Sequence, residues 1–249
     1  MTGSSRPGSS HRVVLQPAFV LHHLPYRDTS RILELFTRDH GRVSVFARGV
    51  RASRKNGSSL MSVLQPFQAL LVSWSGRGEA GQLTHAEFGE TIVALNPERC
   101  VSGFYLNELI LKLFARQDPH PEIYDLYAAT IARLKTETPQ QPTLRLFEKR
   151  LLDGIGYGLS LETEALTGRP IEAERLYQYR LELGPQELQG VSEHALALSG
   201  ASLLAVAQED FSDPRVCAEA RLLLRAALDR VLEGRELNSR AVLQQLKRI

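Results

Sequence analysis

The run Arg42-Val-Ser-Val-Phe-Ala-Arg48 alternates in side-chain character. On a strand, such spacing puts Arg42, Ser44, Phe46 and Arg48 on one face and Val43, Val45 and Ala47 on the other. Guanidinium groups beside an aromatic ring can follow a phosphate backbone while a base stacks on the ring. The residues that follow, Gly49-Val-Arg51-Ala-Ser-Arg54-Lys55-Asn-Gly-Ser-Ser59, leave the strand as a mobile cationic loop, and Arg77 adds a further charge. No carboxylate interrupts the chain between Asp39 and Glu79. A local excess of this kind points to a polyanionic partner. The competing reading is a solvated loop kept charged for solubility. Arg42, Phe46, Arg48, Arg51, Arg54, Lys55 and Arg77 are thus the candidate nucleic-acid contacts.

Other chemistries find little support. Gly76-Arg77-Gly78 resembles part of a phosphate cradle, yet it lacks the Walker or dinucleotide spacing and fits a hairpin turn better. There is no Gly-x-Ser-x-Gly elbow, no His-Glu-x-x-His and no recognisable carboxylate pair, so a binding protein is expected, not an enzyme. His22 and His23 are adjacent, and neighbouring strand positions face opposite ways, which makes joint chelation awkward. Cys100 and Cys217 lie far apart in apolar helical contexts; a disulfide between them is the alternative reading, and two small buried thiols in a reducing compartment are expected. Farther along, Arg145 and Lys149 stand four apart beside Leu144, Phe147 and Leu151. A cation flanking an apolar groove could receive an acidic, hydrophobic peptide end. Surface charges on an amphipathic helix are the simpler alternative.

The elements that must position these residues change character near residue 96. Segments Val13–Leu24, Arg31–Thr37, Arg42–Arg48, Phe67–Ser75 and Leu83–Glu90 are short, rich in Val, Leu and Phe, and separated by turn signals. Five antiparallel strands suit a small OB-fold barrel, and an SH3-like barrel nearly as well. Beyond Asn96-Pro97 the apolar spacing becomes helical: Ile123, Leu126, Tyr127, Thr130, Ile131 and Leu134 share one face. Leu144, Phe147, Leu151, Leu152 and Ile155 form a second stripe behind Pro142. Val216, Ala220, Leu223, Leu224, Ala227, Leu228 and Val231 form a third, stopped at Gly234. Residues 101–115 are apolar nearly all round, as the central helix of a bundle would be. Residues 159–191 read as irregular, with a short hairpin at Leu176–Leu183. The expected fold class is α+β: a flexible tail over 1–11, an OB-fold domain over 12–95 and a mainly helical domain over 96–249 with a small irregular β insert.

Bulk properties agree with this division. The 249 residues are 43% hydrophobic and 23% charged, with formal charge +2. Residues 1–95 carry 11 basic and 6 acidic groups, while the rest is net acidic. No apolar run approaches the ~18–20 residues needed to cross a bilayer, and the amino end has no apolar leader region. A cytoplasmic protein with no membrane partner is expected.

Several ordered segments carry a family resemblance: Ala18-Phe-Val-Leu21, Tyr26-Arg-Asp-Thr-Ser30, Ala47-Arg-Gly-Val-Arg51, Leu64-Gln-Pro-Phe67, Tyr105-Leu-Asn-Glu-Leu109, Leu144-Arg-Leu-Phe-Glu148, Gly156-Tyr-Gly158 and Leu237-Asn-Ser-Arg240. In this order the chain resembles the RecO family of bacterial DNA repair proteins. The resemblance implies a nucleoid-associated recombination mediator that binds single- and double-stranded DNA and anneals complementary strands. It also implies engagement of the acidic tail of single-stranded DNA-binding protein, with RecR as partner and RecA loading as outcome. The basic barrel surface would be Arg42, Arg48, Arg51, Arg54 and Lys55; the helix bearing Arg145 would receive the tail.

Many relatives hold zinc with four cysteines in the stretch matching residues 160–190. Here that stretch contains neither cysteine nor histidine. A thiolate site is impossible with these residues, so no cofactor is implied. Packing of Leu161, Leu166, Tyr177 and Tyr179 is expected to take over the stapling role. Two rival classes are kept beside the mediator: a protein–protein adaptor that does not bind DNA, and a metal-dependent nuclease.

Overall fold

A computed structural model describes residues 12–26, 29–50, 60–76, 80–136, 138–188 and 196–246. Five strands, β1 (Arg12–Tyr26), β2 (Ser30–Thr37), β3 (Gly41–Ala47), β4 (Leu70–Ser75) and β5 (Ala80–Phe88), close into a barrel in the order β1-β2-β3-β5-β4. A short helix, α1 (Leu60–Val63), lies in sequence between β3 and β4. This is the OB-fold arrangement, and it displaces the SH3-like alternative. Four pairings are antiparallel, but β3 and β5 run parallel, from Ser44 opposite Ala80 to Phe46 opposite Gln82. The expectation of five antiparallel strands is corrected there, because side-chain alternation carries no information about strand direction.

β1 closes the barrel because it is long enough to pair twice. Its first half pairs with β4 and its second half with β2, with register shifts after Val13 and after Val20. The interior is filled by the inward-facing set of each strand, including Val20, Leu33, Leu35, Val43, Val45, Ala47, Leu70 and Val72. Each buried Val or Leu side chain contributes about 1.5–3 kcal/mol by leaving water.

By internal contacts the chain divides into two compact units, Met1–Ala128 with Ser239–Ile249, and Ala129–Asn238. The barrel unit therefore includes α2 (Pro97–Leu113), and the division falls inside α3 (Pro121–Leu134). Helix α2 opens on Asn96, whose side chain accepts the Glu98 amide, and on Pro97 in its first turn. It packs against β1, where buried Asn107 donates to the Leu21 carbonyl at 2.9 Å and accepts from the Tyr127 hydroxyl. The apolar run over 101–115 thus belongs to a helix on the barrel and not to the centre of a bundle. Gly103 makes the approach possible: a Cβ there would stand 2.6 Å from the Phe67 ring. Helix α7 (Asn238–Leu246) returns to the same unit, its Ser239 amide and hydroxyl both donating to Glu108 of α2.

The second unit is built on α4 (Gln140–Gly154), α5 (Gly200–Ala207) and α6 (Pro214–Leu232). Both α4 and α5 pack against α6, whose inward stripe runs through Val216, Ala220, Leu223, Leu224 and Leu228. Asp213 caps the start of α6, and left-handed Glu233 followed by Gly234 ends it. The expected hairpin is present and extended: β6 (Leu176–Arg180) pairs with β7 (Gly184–Glu187) and also with β8 (Leu196–Ser199). Among the described residues, no helix is long and apolar enough to cross a membrane.

Candidate nucleic-acid interface

The outward face of β3 is divided along its length. Its inward residues Val43, Val45 and Ala47 are core, so Arg42, Ser44, Phe46 and Arg48 project the other way, as alternation requires. What alternation does not reveal is which of these positions the rest of the chain covers.

Arg42 is covered. One of its three guanidinium nitrogens donates to the carbonyls of Leu111 and Phe114, each at 2.6 Å, and a second reaches Glu34 at 3.3 Å. Leu111 and Phe114 close the end of α2, where carbonyls lack helical partners and the helix dipole favours a cation. Arg116 also binds Glu34, and the Gln117 amide donates to the Arg42 carbonyl. Gly41 is required beside this contact: its φ is +63° and a Cβ would stand 2.0 Å from the Asp118 carbonyl oxygen. Arg42 is a structural cation, and its place among the nucleic-acid contacts is corrected accordingly.

The other end of β3 is open. Phe46 is half-buried and Arg48 exposed. The Arg48 guanidinium lies 5.6 Å from the centre of the Phe46 ring, within cation–π range. The ring of Tyr26, the last residue of β1, stands nearly perpendicular to that of Phe46 with centroids 5.0 Å apart. Across the strands Leu24 pairs with Ile32 and Ile32 with Phe46, so these three share a row, and Tyr26 opposite Ser30 begins the next. The result is a groove of about 890 Å³ whose lining includes Tyr26, Ser30, Ile32, Phe46, Arg48 and Ala80. Among the described residues, no carboxylate lines it. OB-folds take oligonucleotides on this part of the surface, the β2–β3 face with the β1–β2 and β4–β5 loops.

Of the sequence-derived contacts, Phe46 and Arg48 come together here. Arg51, Arg54, Lys55 and Arg77 lie outside the described residues. Tyr26 was missed, because Pro25-Tyr-Arg-Asp28 reads as a turn; register against Ser30 is what carries it into the groove.

The candidate peptide site on α4 is also corrected. Leu144, Phe147 and Leu151 are buried at 5%, 0% and 0% exposure, so they are core and not the wall of an open groove. Arg145 is buried with them and donates to Glu148 at 2.7 Å, one turn on. Lys149 binds Asp153 at 2.9 Å and stands 3.6 Å from Glu209. The exposed cation of this helix is Arg150, whose double contact to Glu209 holds that carboxyl below its ordinary pKa. The two cysteines are free thiols, half-buried and not fully buried, and desolvation pushes the Cys217 thiol up.

In the stretch 160–190, Leu161, Tyr177 and Tyr179 are buried, but Leu166 is 74% exposed and has no packing role. A hydrogen-bonded turn stands in its place. The Glu164 carboxylate accepts the Thr167 amide and hydroxyl, the Gly168 amide donates to the Glu164 carbonyl, and the Glu164 amide donates to the Arg169 carbonyl. A tetrahedral zinc site does not fit, since the segment offers no thiolate or imidazole. Among the described residues, no group of three or more His, Cys, Asp or Glu is placed to hold a metal.

Comparison with known proteins agrees with the barrel and the helical region together. Residues 12–92 match the family described as Recombination protein O N terminal, and residues 94–241 the one described as Recombination protein O C terminal. The chain is 46% identical to the DNA repair protein RecO of Alkalilimnicola ehrlichii over 243 residues, covering 96% of this chain and 94% of that one. It is 44% identical to the protein of the same name from Nitrosococcus oceani over 238 residues, 96% of each. The counterpart from Methylococcus capsulatus is 43% identical over 235 residues, 94% of this chain and 95% of that one. A barrel and a helical region that match both halves of one family, in order and nearly end to end, place this chain in the RecO family.

Proposed function

We propose that this chain is a recombination mediator in DNA repair that acts by binding DNA and not by a catalytic step. It binds single- and double-stranded DNA through the OB-fold barrel and anneals complementary strands. The observation that carries this reading is the groove at the open end of β3, where Arg48, Phe46 and Tyr26 combine a cation with two rings. Membership of a family whose members are named DNA repair proteins supports the same role. The positive balance of residues 1–95, with Arg51, Arg54, Lys55 and Arg77 near the groove in sequence, supplies further phosphate contacts.

The partners are single-stranded DNA-binding protein, engaged through its acidic carboxyl-terminal tail, and RecR, with RecA loading as the downstream result. Family membership supports these partners. Because Leu144, Phe147, Leu151 and Arg145 are buried, the tail contact is assigned to no residue of that stripe.

The test is strand annealing on DNA coated with the cognate single-stranded DNA-binding protein, with and without that protein's tail. A mediator accelerates annealing of coated strands and depends on the tail. An adaptor that does not touch DNA shows little affinity for a bare strand at either low or moderate salt. Cleavage of labelled DNA in Mg²⁺ or Mn²⁺ would replace both readings with a nuclease.

A further inference from the structure

We infer that a second groove of the barrel unit, walled by Phe67, Phe104 and Ile92, docks an extended apolar peptide of a protein partner. The peptide pairs with the backbone of Ile92 and Ala94 as an added strand. The inference stands apart from the nucleic-acid reading, since among the described residues the two grooves share no lining residue.

The groove has a volume of about 620 Å³ and lies wholly within the barrel unit. Phe67 in its wall has φ +65°, a left-handed backbone that a bulky residue rarely adopts. Such a conformation persists where its surroundings hold it, and it clusters at binding sites. Here the Phe67 ring lies over Gly103, where a Cβ would stand 2.6 Å away, and against the Phe104 ring with centroids 5.0 Å apart. Phe104 is nonetheless 48% exposed and Ile92 58%. Among the described residues, no lysine, arginine, aspartate or glutamate lines the groove. A phosphate or a charged side chain would lose its hydration there without gaining a counter-charge, so the walls suit an uncharged, apolar occupant.

The connection from β5 to α2 makes that occupant an extended chain. Residues 91–96 have no regular secondary structure. Ile92 and Ala94 line the groove while Val93 between them does not, which is the alternation of an extended backbone. The Gln68 side-chain amide donates to the Val93 carbonyl at 3.0 Å and fixes this orientation. Along an extended chain the amide and carbonyl of one residue point to one side, and those of the next residue to the other. Val93 turns its pair toward Gln68, so Ile92 and Ala94 turn theirs the opposite way. Among the described residues, the amides and carbonyls of Ile92 and Ala94 have no hydrogen-bond partner. An unpaired edge beside an apolar pocket is how a peptide adds a strand: backbone bonds hold it, and its alternate side chains enter the pocket.

The test selects peptides from a phage-displayed library of random nonapeptides on the full chain and on its Ile92→Asp and Phe104→Ser variants. Both positions are exposed, so neither change should unfold the chain. Selection on the unaltered chain should enrich peptides with apolar residues at alternate positions. Each variant should bind the most enriched peptide about ten-fold more weakly. N-methylation of that peptide at alternate residues removes backbone donors; it should weaken binding in one register and leave it nearly unchanged in the other. In the complex, hydrogen exchange should slow at the amides of Ile92 and Ala94 and stay unchanged at that of Val93. The inference is overturned if no peptide is enriched on the unaltered chain over both variants, or if N-methylation in either register has no effect. It is also overturned if raising the concentration of the unaltered chain alone protects these amides, which would make the occupant a second copy.

Discussion

The guanidinium of Arg42 donates to the carbonyl oxygen of Phe114 at 2.6 Å and so closes the end of the helix that lies on the barrel. The contact converts a cation on the outward face of β3 into an internal brace. It separates two roles that look alike in a list of basic residues, one structural and one open to solvent.

Replacing Arg42 should therefore affect stability and not DNA. Arg42→Ala leaves two helix-end carbonyls and the buried Glu34 without this donor, at a cost of about 2–3 kcal/mol. Urea unfolding would register the loss as a lower midpoint. The dependence of DNA affinity on salt should keep its slope.

Arg48→Ala should behave in the opposite way. Arg48 is exposed and lies over the Phe46 ring, so unfolding should shift by less than about 1 kcal/mol. The log K against log[salt] slope for a single strand should flatten by roughly 0.7, similarly for all base sequences. Equal slopes for Arg48→Ala and the unaltered chain would remove Arg48 from the phosphate contacts.

Arg145 and Glu148 form a pair at 6% and 3% side-chain exposure. Removing one partner of a buried pair costs about 3–5 kcal/mol, whereas replacing both by apolar residues of similar size is far milder. Arg145→Ala should thus melt early, while Arg145→Met combined with Glu148→Leu should fold nearly as well as the unaltered chain. A peptide ending in acidic residues and phenylalanine should bind the double variant normally. Lost peptide binding in that folded double variant would return the tail site to α4.

The turn at Glu164 makes the stretch 160–190 depend on pH. The Thr167 hydroxyl, with the backbone amide of the same residue, holds the Glu164 carboxyl below its ordinary value of 4.5. A carboxyl whose folded-state value is depressed stabilises the fold above its ordinary value and loses that contribution as pH falls through the depressed one. Glu164→Gln should lower the melting temperature near neutral pH, and the difference should close as pH falls below 4.5 and through the depressed value. EDTA should leave the melting temperature unchanged, and elemental analysis should find no stoichiometric zinc. About one zinc per chain would refute this reading of the segment.

Much of this was legible in the sequence, for a physical reason. Strand boundaries followed side-chain alternation closely, as at Arg42–Arg48 against the observed Gly41–Ala47, because one face of each strand must leave water. The stripes of α4 and α6 were visible for the same reason. Sequence could not show which outward residues another element covers. Arg42 and Arg48 are equivalent by alternation, and only the arrival of the end of α2 tells them apart. Arg145 was misread in the same way, since a cation beside an apolar stripe can point into it when a glutamate follows three residues on. Tyr26 went unseen because its role depends on Ser30 and Phe46 in two other strands.

The most direct measurement is photo-cross-linking of a single strand carrying a photoreactive pyrimidine to the full chain, with adducts located by mass spectrometry. Adducts should fall on Tyr26 and Phe46, and excess unlabelled single strand should compete them away more effectively than duplex. Efficient cross-linking with no adduct on either ring, and adducts confined to residues 129–238, would contradict the assignment of DNA to the barrel groove.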